Sequence, residues 1–338
     1  MLKTPFHLLK TQVAKSKKIA ILTHWSPDGD AIGSSLGLYH YLKKKGKNVR
    51  VIVPNDYPSF LAWMPGNKSI LNFQKDSKKV VAFLKNVELI FTLDFNSYSR
   101  IENLGELVMK NNAKKILIDH HRQPDKFADY YYHDIYSSST AELIYEFIVG
   151  IDSKRALTKN ISTCLYTGIM TDSGNFRFPS TKPSTHKVVA ELMEKGACNH
   201  EIYNSVFDES SVSKLKLLGY CLSEKLIVLP ELNAAVIALS EEEQDKFNYI
   251  KGDTEGVVNY PLSIKGIRFS IFMAERDGIV KMSFRSKGNF DVNLFARKYF
   301  SGGGHKNAAG GKSDETLRST LNYLLKILPN HKKELQTK

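Results

Sequence analysis

Four short apolar runs dominate the first part of the chain: KKIAILTH (Lys17 to His24), NVRVIVP (Asn48 to Pro54), ELIFTLD (Glu88 to Asp94) and KKILIDHH (Lys114 to His121). Helically patterned stretches separate them. The first, from Asp30 to Gly46, ends in three lysines and a glycine, as the helix dipole and the left-handed cap position favour. Strand, helix and strand in repetition predict a parallel sheet covered by helices on both faces. Ser139 and Glu142 fit a capping box that opens the helix AELIYEFIVG, and Leu157 to Thr171 reads as a further helix.

The pattern breaks at the turn-rich FPSTKPST around Pro179 to Ser184. Two amphipathic helical segments follow, near His186 to Lys195 and Val212 to Leu222, and are expected to form a linker. From Leu226 the grammar becomes LIVLP, NAAVIAL, RFSIFMAE and IVKMSFR, with Asp277-Gly278 as a hairpin signal between the last two. A helix over Glu315 to Leu328 closes this part, and the polar tail HKKELQTK is expected to fray. The predicted organisation is a first domain over 1–185, a helical linker over 186–222 and a smaller mixed α/β domain over 223–338. A length of 338 residues agrees with about two domains.

The chain is 42% hydrophobic and 25% charged, which excludes a disordered or collagen-like class. Its net charge of +13 favours anionic partners such as nucleotides, nucleic acids or acidic membranes. Apolar runs stop at about six residues, far below the roughly 18 of a membrane span. The lysine-broken start offers no secretory signal, so a cytoplasmic protein is expected. Cys164, Cys198 and Cys221 are widely spaced and read as reduced small hydrophobes.

Four segment ends in the first domain finish in residue types that bind metals. After the first strand comes His24-Trp25-Ser26-Pro27-Asp28-Gly29-Asp30, after the third Asp94, after the fourth Asp119-His120-His121, and a helix ends at Asp172. The carboxyl ends of strands in an open parallel sheet line one crevice, where ligands bind, so these residues can meet. Crowded imidazoles and carboxylates repel unless divalent cations compensate, and a mixed set of this size suits two ions about 3.5–4 Å apart better than one structural zinc. Taken singly, each has a plain structural reading: His24 as a core histidine, Asp28-Gly29-Asp30 as a turn capping the next helix, Asp94 and Asp172 as cap or loop aspartates, Asp119 as a strand end. Their joint placement favours chemistry.

The same residues resemble a known family. His24-x-x-Pro27-Asp28-Gly29-Asp30-Ala31, Asp94, Asp119-His120-His121 and Thr171-Asp172-Ser173-Gly174 are similar to the four motifs of the DHH phosphoesterases. Gly302-Gly303-Gly304-His305 resembles the signature of the DHH-associated C-terminal domain. The resemblance covers nearly the whole chain. The compact length, with Glu255-Gly256 and Asn259-x-Pro261-Leu262, is most similar to the branch combining an oligoribonuclease (nanoRNase) with a 3′-phosphoadenosine 5′-phosphate (pAp) phosphatase.

This resemblance implies an α/β fold, with an N-terminal parallel-sheet catalytic domain joined by the helical linker to a C-terminal substrate-binding domain. It implies a centre of two Mn²⁺, with Mg²⁺ or another divalent ion as substitute. By position, His24 and Asp28 would hold one ion, Asp30, His120 and Asp172 the other, and Asp94 would bridge them. His121 would lie beside the ions to orient the scissile phosphate or a water, and Asp119 would support an imidazole. The expected activity is hydrolysis of short oligoribonucleotides and pAp by water activated between the two metals, without a protein nucleophile.

The second domain would grip the nucleotide. Lys281 to Lys312 holds seven Lys or Arg against one acidic residue, Asp291. Arg285 and Ser286, ending a strand, resemble the family's phosphate contacts, and an arginine there offers a bidentate grip. Gly302, Gly303 and Gly304 with His305 would cradle a phosphate through backbone N–H groups, or else form a flexible turn after the helix Val292 to Phe300. Arg177 is a candidate phosphate clamp. Trp25, Tyr130 to Tyr132 and Phe176 can stack a base or fill the core. Two rivals stay open: a phosphodiesterase of cyclic dinucleotides or their linear products, and a non-catalytic basic nucleic-acid-binding protein whose His and Asp cluster only fixes structure. No membrane partner is expected, and a homodimer is compatible with every reading.

Overall fold

The apolar runs become strands because both of their faces are covered. In the computed structural model, which describes residues 2–337, the chain divides into a unit ending at Glu209 and one beginning at Ser210. The first contains β1 (Leu2–Lys3), α1 (Phe6–Lys15), β2 (Lys18–Leu22), α2 (Gly29–Lys44), β3 (Asn48–Val53), β4 (Leu71–Asn72), α3 (Phe73–Leu84), β5 (Leu89–Leu93), α4 (Asn103–Met109), β6 (Lys114–Asp119), β7 (Tyr130–His133), α5 (Thr140–Ile151), α6 (Lys159–Asp172), α7 (Pro183–Glu194) and α8 (Asn199–Tyr203). The sheet order is β1-β7-β6-β5-β2-β3-β4, parallel throughout except for β1 against β7.

Alternate residues of each strand serve opposite layers. Ile19, Ile21, Val51, Phe91, Ile116 and Ile118 pack with α1, α2, α5 and α6. Ala20, Leu22, Ile52 and Ile90 pack with α3 and α4. The chain runs outward from β2 to β3 and β4, then returns to the other side of β2 for β5, β6 and β7. This change of direction opens a crevice beyond the carboxyl ends of β2 and β5. Helices α2 and α6 lie unusually close. A Cβ on Gly33 would fall 2.5 Å from the Cys164 carbonyl oxygen and 2.8 Å from the Gly168 nitrogen. That approach brings the start of α2 to the end of α6.

The capping expectation holds for half of the box. Ser139 Oγ accepts from the Glu142 N–H at 3.0 Å, but the Glu142 carboxylate accepts from the Ser138 N–H and from the Ser138 and Thr185 hydroxyls. It joins α5 to the start of α7. The segment expected as one linker over 186–222 is divided between the units. Val188, Val189 and Leu192 of α7 enter the first core, whereas Leu217 and Cys221 of α9 (Val212–Ser223) pack with Ile237 and Phe272 of the second.

The second unit continues with β8 (Leu226–Leu229), β9 (Ala234–Leu239), α10 (Glu241–Lys246), β10 (Phe269–Arg276), β11 (Ile279–Ser286), α11 (Val292–Tyr299), β12 (Gly303–Gly304), β13 (Ala308–Ser313), α12 (Leu317–Ile327) and α13 (Lys332–Gln336). Its sheet runs β12-β13-β11-β10-β9-β8 and is antiparallel except for β9 with β10. Arg276 pairs with Ile279, so Asp277-Gly278 forms the whole hairpin loop, with φ of 55° and 74° as a primed turn requires. The tail expected to fray is anchored as far as Thr337, its last residue lying outside the described ones. Leu335 is fully buried, and Asn233 Nδ2 donates to its carbonyl at 3.1 Å. One apolar anchor outweighs the polar composition around it.

Candidate metal centre

Three neighbouring strands and the ends of α2 and α6 deliver the candidate ligands. Thr23 and His24 follow β2, Asp94 follows β5, and β6 ends in Asp119, with His120 and His121 next. Asp94 stands between two groups of donors. His24 Nε2 is 3.5 Å from Asp94 Oδ2 and 3.9 Å from Asp28 Oδ1. His120 Nε2 is 3.4 Å from Asp172 Oδ2, 3.6 Å from Asp94 Oδ1 and 3.9 Å from Asp30 Oδ2. Within each of the sets His24, Asp28, Asp94 and Asp30, His120, Asp172 the donor atoms lie within 4.8 Å of one another. Asp94 thus offers one oxygen to each side. Its φ of 64° is a left-handed conformation that aspartate tolerates better than most residues.

The surroundings fix these donors. His24 Nδ1 lies 2.9 Å from the Trp25 carbonyl oxygen and His120 Nδ1 3.3 Å from that of Ser137. A proton on each Nδ1 satisfies these contacts and leaves Nε2 for ligation. Asp28 Oδ1 caps α2 by accepting from the N–H groups of Asp30 and Ala31, both at 3.0 Å. Asp30 accepts from the Thr140 N–H at 2.7 Å and the Ala141 N–H at 2.8 Å. It therefore sits at the positive end of the α5 dipole. Asp119 Oδ1 is 2.7 Å from His121 Nδ1, and its buried Oδ2 has no hydrogen-bond partner among the described residues.

Without a cation the charge is poorly balanced. Burial pushes the Asp30 carboxyl well above the usual range, and Asp94, Asp172 and Asp28 push it further. Asp172 rises to about 6 because burial and the charges of Asp28 and Asp94 outweigh His120. Burial disfavours protonated His24, yet Asp28 and Asp94 prevail and raise it to about 10. Asp94 stays below the usual range in spite of burial, because His24, His121 and His120 face it.

A pH prediction follows from these directions. With His24 raised to about 10 and Asp172 to about 6, a cation held by these residues would displace a proton from His24 at pH 7 and another from Asp172 below about pH 6. Cation binding should therefore release protons, and affinity should fall as the pH drops through about 6. Calorimetric titration of Mn²⁺ in buffers of different ionisation enthalpy checks this. Heats independent of buffer would contradict it.

Residues 18–169 match the DHH family, N-terminal domain, and residues 230–329 match the DHHA1 domain. Over 294 residues the chain is 30% identical to the bifunctional oligoribonuclease and PAP phosphatase NrnA of Bacillus subtilis, covering 86% of this chain and 88% of that one. The chain belongs to the DHH phosphoesterase family. The crystal structure of an exopolyphosphatase-related protein from Bacteroides fragilis is similar to it at a TM-score of 0.94 and 40% identity, over 98% of this chain and 97% of that one. The cyclic-di-AMP phosphodiesterase GdpP of Bacillus subtilis is 25% identical over 94% of this chain but is matched over 48% of its own length.

The DHHA1 unit treats its expected binding residues unevenly. Arg285, on β11, donates from Nη1 to the Phe284 carbonyl at 3.0 Å. Ser286 is buried, and its hydroxyl donates to the Phe290 carbonyl at 2.7 Å and accepts from Asn307 Nδ2 at 2.8 Å. The glycine run finds partners within its own unit. The Gly302 N–H goes to the Ala296 carbonyl and that of His305 to Ala308, while the Gly304 N–H goes to Asn293 Oδ1 at 2.9 Å. Gly303 and Gly304 pair with β13 as a strand. A Cβ on Gly302 would stand 2.0 Å from the Gly310 carbonyl oxygen. These glycines admit a close strand rather than present a row of free N–H groups.

In the DHH unit Arg177 is exposed, its guanidinium 5.4 Å from the Phe178 ring centre. Tyr132 belongs to the core, whereas Tyr130 and Phe176 pack partly buried against it. Sequence reasoning missed Thr140, Ala141 and the Ser137 carbonyl, all of which contact candidate ligands. The run Ser137-Ser138-Ser139-Thr140 does announce a helix start. It does not announce that a carboxylate from α2 takes the free N–H groups.

Proposed function

We propose that the protein hydrolyses short oligoribonucleotides and pAp at a centre of two divalent cations, Mn²⁺ first among them. One observation carries this reading: Asp94 turns one oxygen to each of two His and carboxylate sets. His24 and Asp28 would hold one ion and Asp30, His120 and Asp172 the other, with Asp94 shared. The donor set fits, since oxygen-rich sites with one or two imidazoles suit Mn²⁺ and Mg²⁺ more than they suit a thiolate-seeking metal. Bound there, the cations acidify water and neutralise charge on the phosphate oxygens.

The protein's own groups do the positioning. Asp119 holds His121 through Nδ1 and so fixes the orientation of its ring beside the cations. The α5 N–H groups keep Asp30 in one orientation. Arg285, Ser286 and His305 of the DHHA1 unit, with Arg177, are the candidates for nucleotide contact, and the glycines 302–304 shape the strand beside them. The name of the Bacillus subtilis relative and the basic charge of the chain support the substrate class. Among the described residues no helix is long and apolar enough to cross a membrane.

A substrate panel tests the proposal. Purified protein with Mn²⁺ should hydrolyse pAp and di- to pentaribonucleotides, lose activity in excess chelator and regain it with Mn²⁺. Faster turnover of cyclic dinucleotides would transfer the assignment to that class. Salt-sensitive binding of long RNA with no hydrolysis of any substrate would overturn it.

A further inference from the structure

Thr140 is the first residue of α5, and it is fully buried. Its two donors reach two different carboxylates. The backbone N–H goes to Asp30 Oδ2 at 2.7 Å and the hydroxyl to Asp94 Oδ1 at 2.8 Å. Asp30 belongs to the set with His120 and Asp172, and Asp94 belongs to the set with His24 and Asp28 while its Oδ1 lies 3.6 Å from His120 Nε2 of the other. One residue therefore ties the shared carboxylate to a carboxylate of one side.

The helix itself needs neither donor. An N–H in the first turn has no carbonyl four residues earlier within the helix, so it must find a partner elsewhere. A threonine inside a helix often bonds back to that same carbonyl, but at the first position this outlet is missing too. Capping is already served by Ser139, which accepts the Glu142 N–H. The Thr140 hydroxyl is thus surplus to the helix. An ionised carboxylate only accepts, so this hydroxyl must be the donor.

We propose that Thr140 is the positioning residue that sets the spacing of the two cation seats, an inference that rests on the two-cation reading above. Its hydroxyl stops the Asp94 carboxylate from rotating, which keeps Oδ1 on the His120 side and Oδ2 3.5 Å from His24 Nε2. Its N–H, with that of Ala141, holds Asp30 opposite. Outer partners of this kind are worth about 10–100-fold in metal affinity.

The test compares Thr140→Val, which keeps the shape and the N–H but removes the hydroxyl, with Thr140→Ser, which keeps the hydroxyl. Mn²⁺ binding is followed by electron paramagnetic resonance, reading both free Mn²⁺ and the signal of an exchange-coupled pair. Wild type should bind two ions with a coupled signal, and Thr140→Ser should stay within about threefold of it. Thr140→Val should bind Mn²⁺ about 10–100-fold more weakly and lose the coupled signal, with kcat reduced more than KM is changed. Wild-type Mn²⁺ affinity and coupling in Thr140→Val, with only the melting temperature lowered, would overturn the proposal. If Thr140→Val does not fold, Thr140→Ala is read in its place. Failure of both to fold, with Thr140→Ser folding normally, would also overturn it by making the hydroxyl a requirement of the fold. If wild type binds no pair of ions, the two-cation reading itself has failed.

Discussion

Asp94→Asn is expected to fold normally and to lose at least about a hundredfold in kcat. Removing an outer partner of a ligand already costs up to about a hundredfold, and Asp94 is the carboxylate that faces both His24 and His120, which the proposal has both cations share. Asparagine is the informative replacement. It keeps the size of the side chain and tolerates the left-handed backbone at φ 64°, where alanine would add strain. It still accepts from the Thr140 hydroxyl through Oδ1, but its amide end cannot serve as an anionic ligand. Circular dichroism and melting temperature should match wild type while Mn²⁺ stoichiometry and turnover collapse. Turnover within tenfold of wild type would falsify the shared-ligand arrangement.

Gly33→Ala should cost about 1–3 kcal/mol of stability, although alanine is the better helix former by about 1 kcal/mol. The added methyl would meet backbone atoms of α6, the Cys164 carbonyl oxygen at 2.5 Å and the Gly168 nitrogen at 2.8 Å. Backbone cannot step aside without moving the helix, and α6 carries Asp172 at its end. The same substitution should therefore also weaken Mn²⁺ binding. Gly37→Ala is the control. One turn along α2, its methyl would meet the Leu165 side chain, which can change rotamer. Urea unfolding of the two variants should show a clear loss for Gly33→Ala and a smaller one for Gly37→Ala. Equal or improved stability in Gly33→Ala would mean that the two helices can separate freely.

The parallel sheet was legible because β2, β3, β5 and β6 are apolar on both faces, which few other structures permit. The candidate ligand residues could be picked out because each follows a strand or stands at a helix start or end, and such ends converge in this topology. Other features depend on pairs of segments far apart in the chain. Nothing local in the residues around Asp30 says that the start of α5 will supply its hydrogen bonds. The run Gly302 to Gly304 carries the same letters whether its N–H groups face an anion or partners within the chain, and only distant residues such as Ala296, Asn293 and strand β13 distinguish the two. The ending HKKELQTK looks solvated because one leucine weighs little in composition. That leucine is nevertheless buried.

The reversal of direction in the first sheet has a bearing on the order of assembly. The strand before His24 and the strand before Asp94 are spatial neighbours, yet the whole β3–β4–α3 excursion lies between them. No fragment shorter than that detour can present both His24 and Asp94, so a cation shared between them would bind only once that long-range pairing is complete. Ions captured at such a place clamp a finished scaffold. They would retard its opening far more than they would hasten its formation.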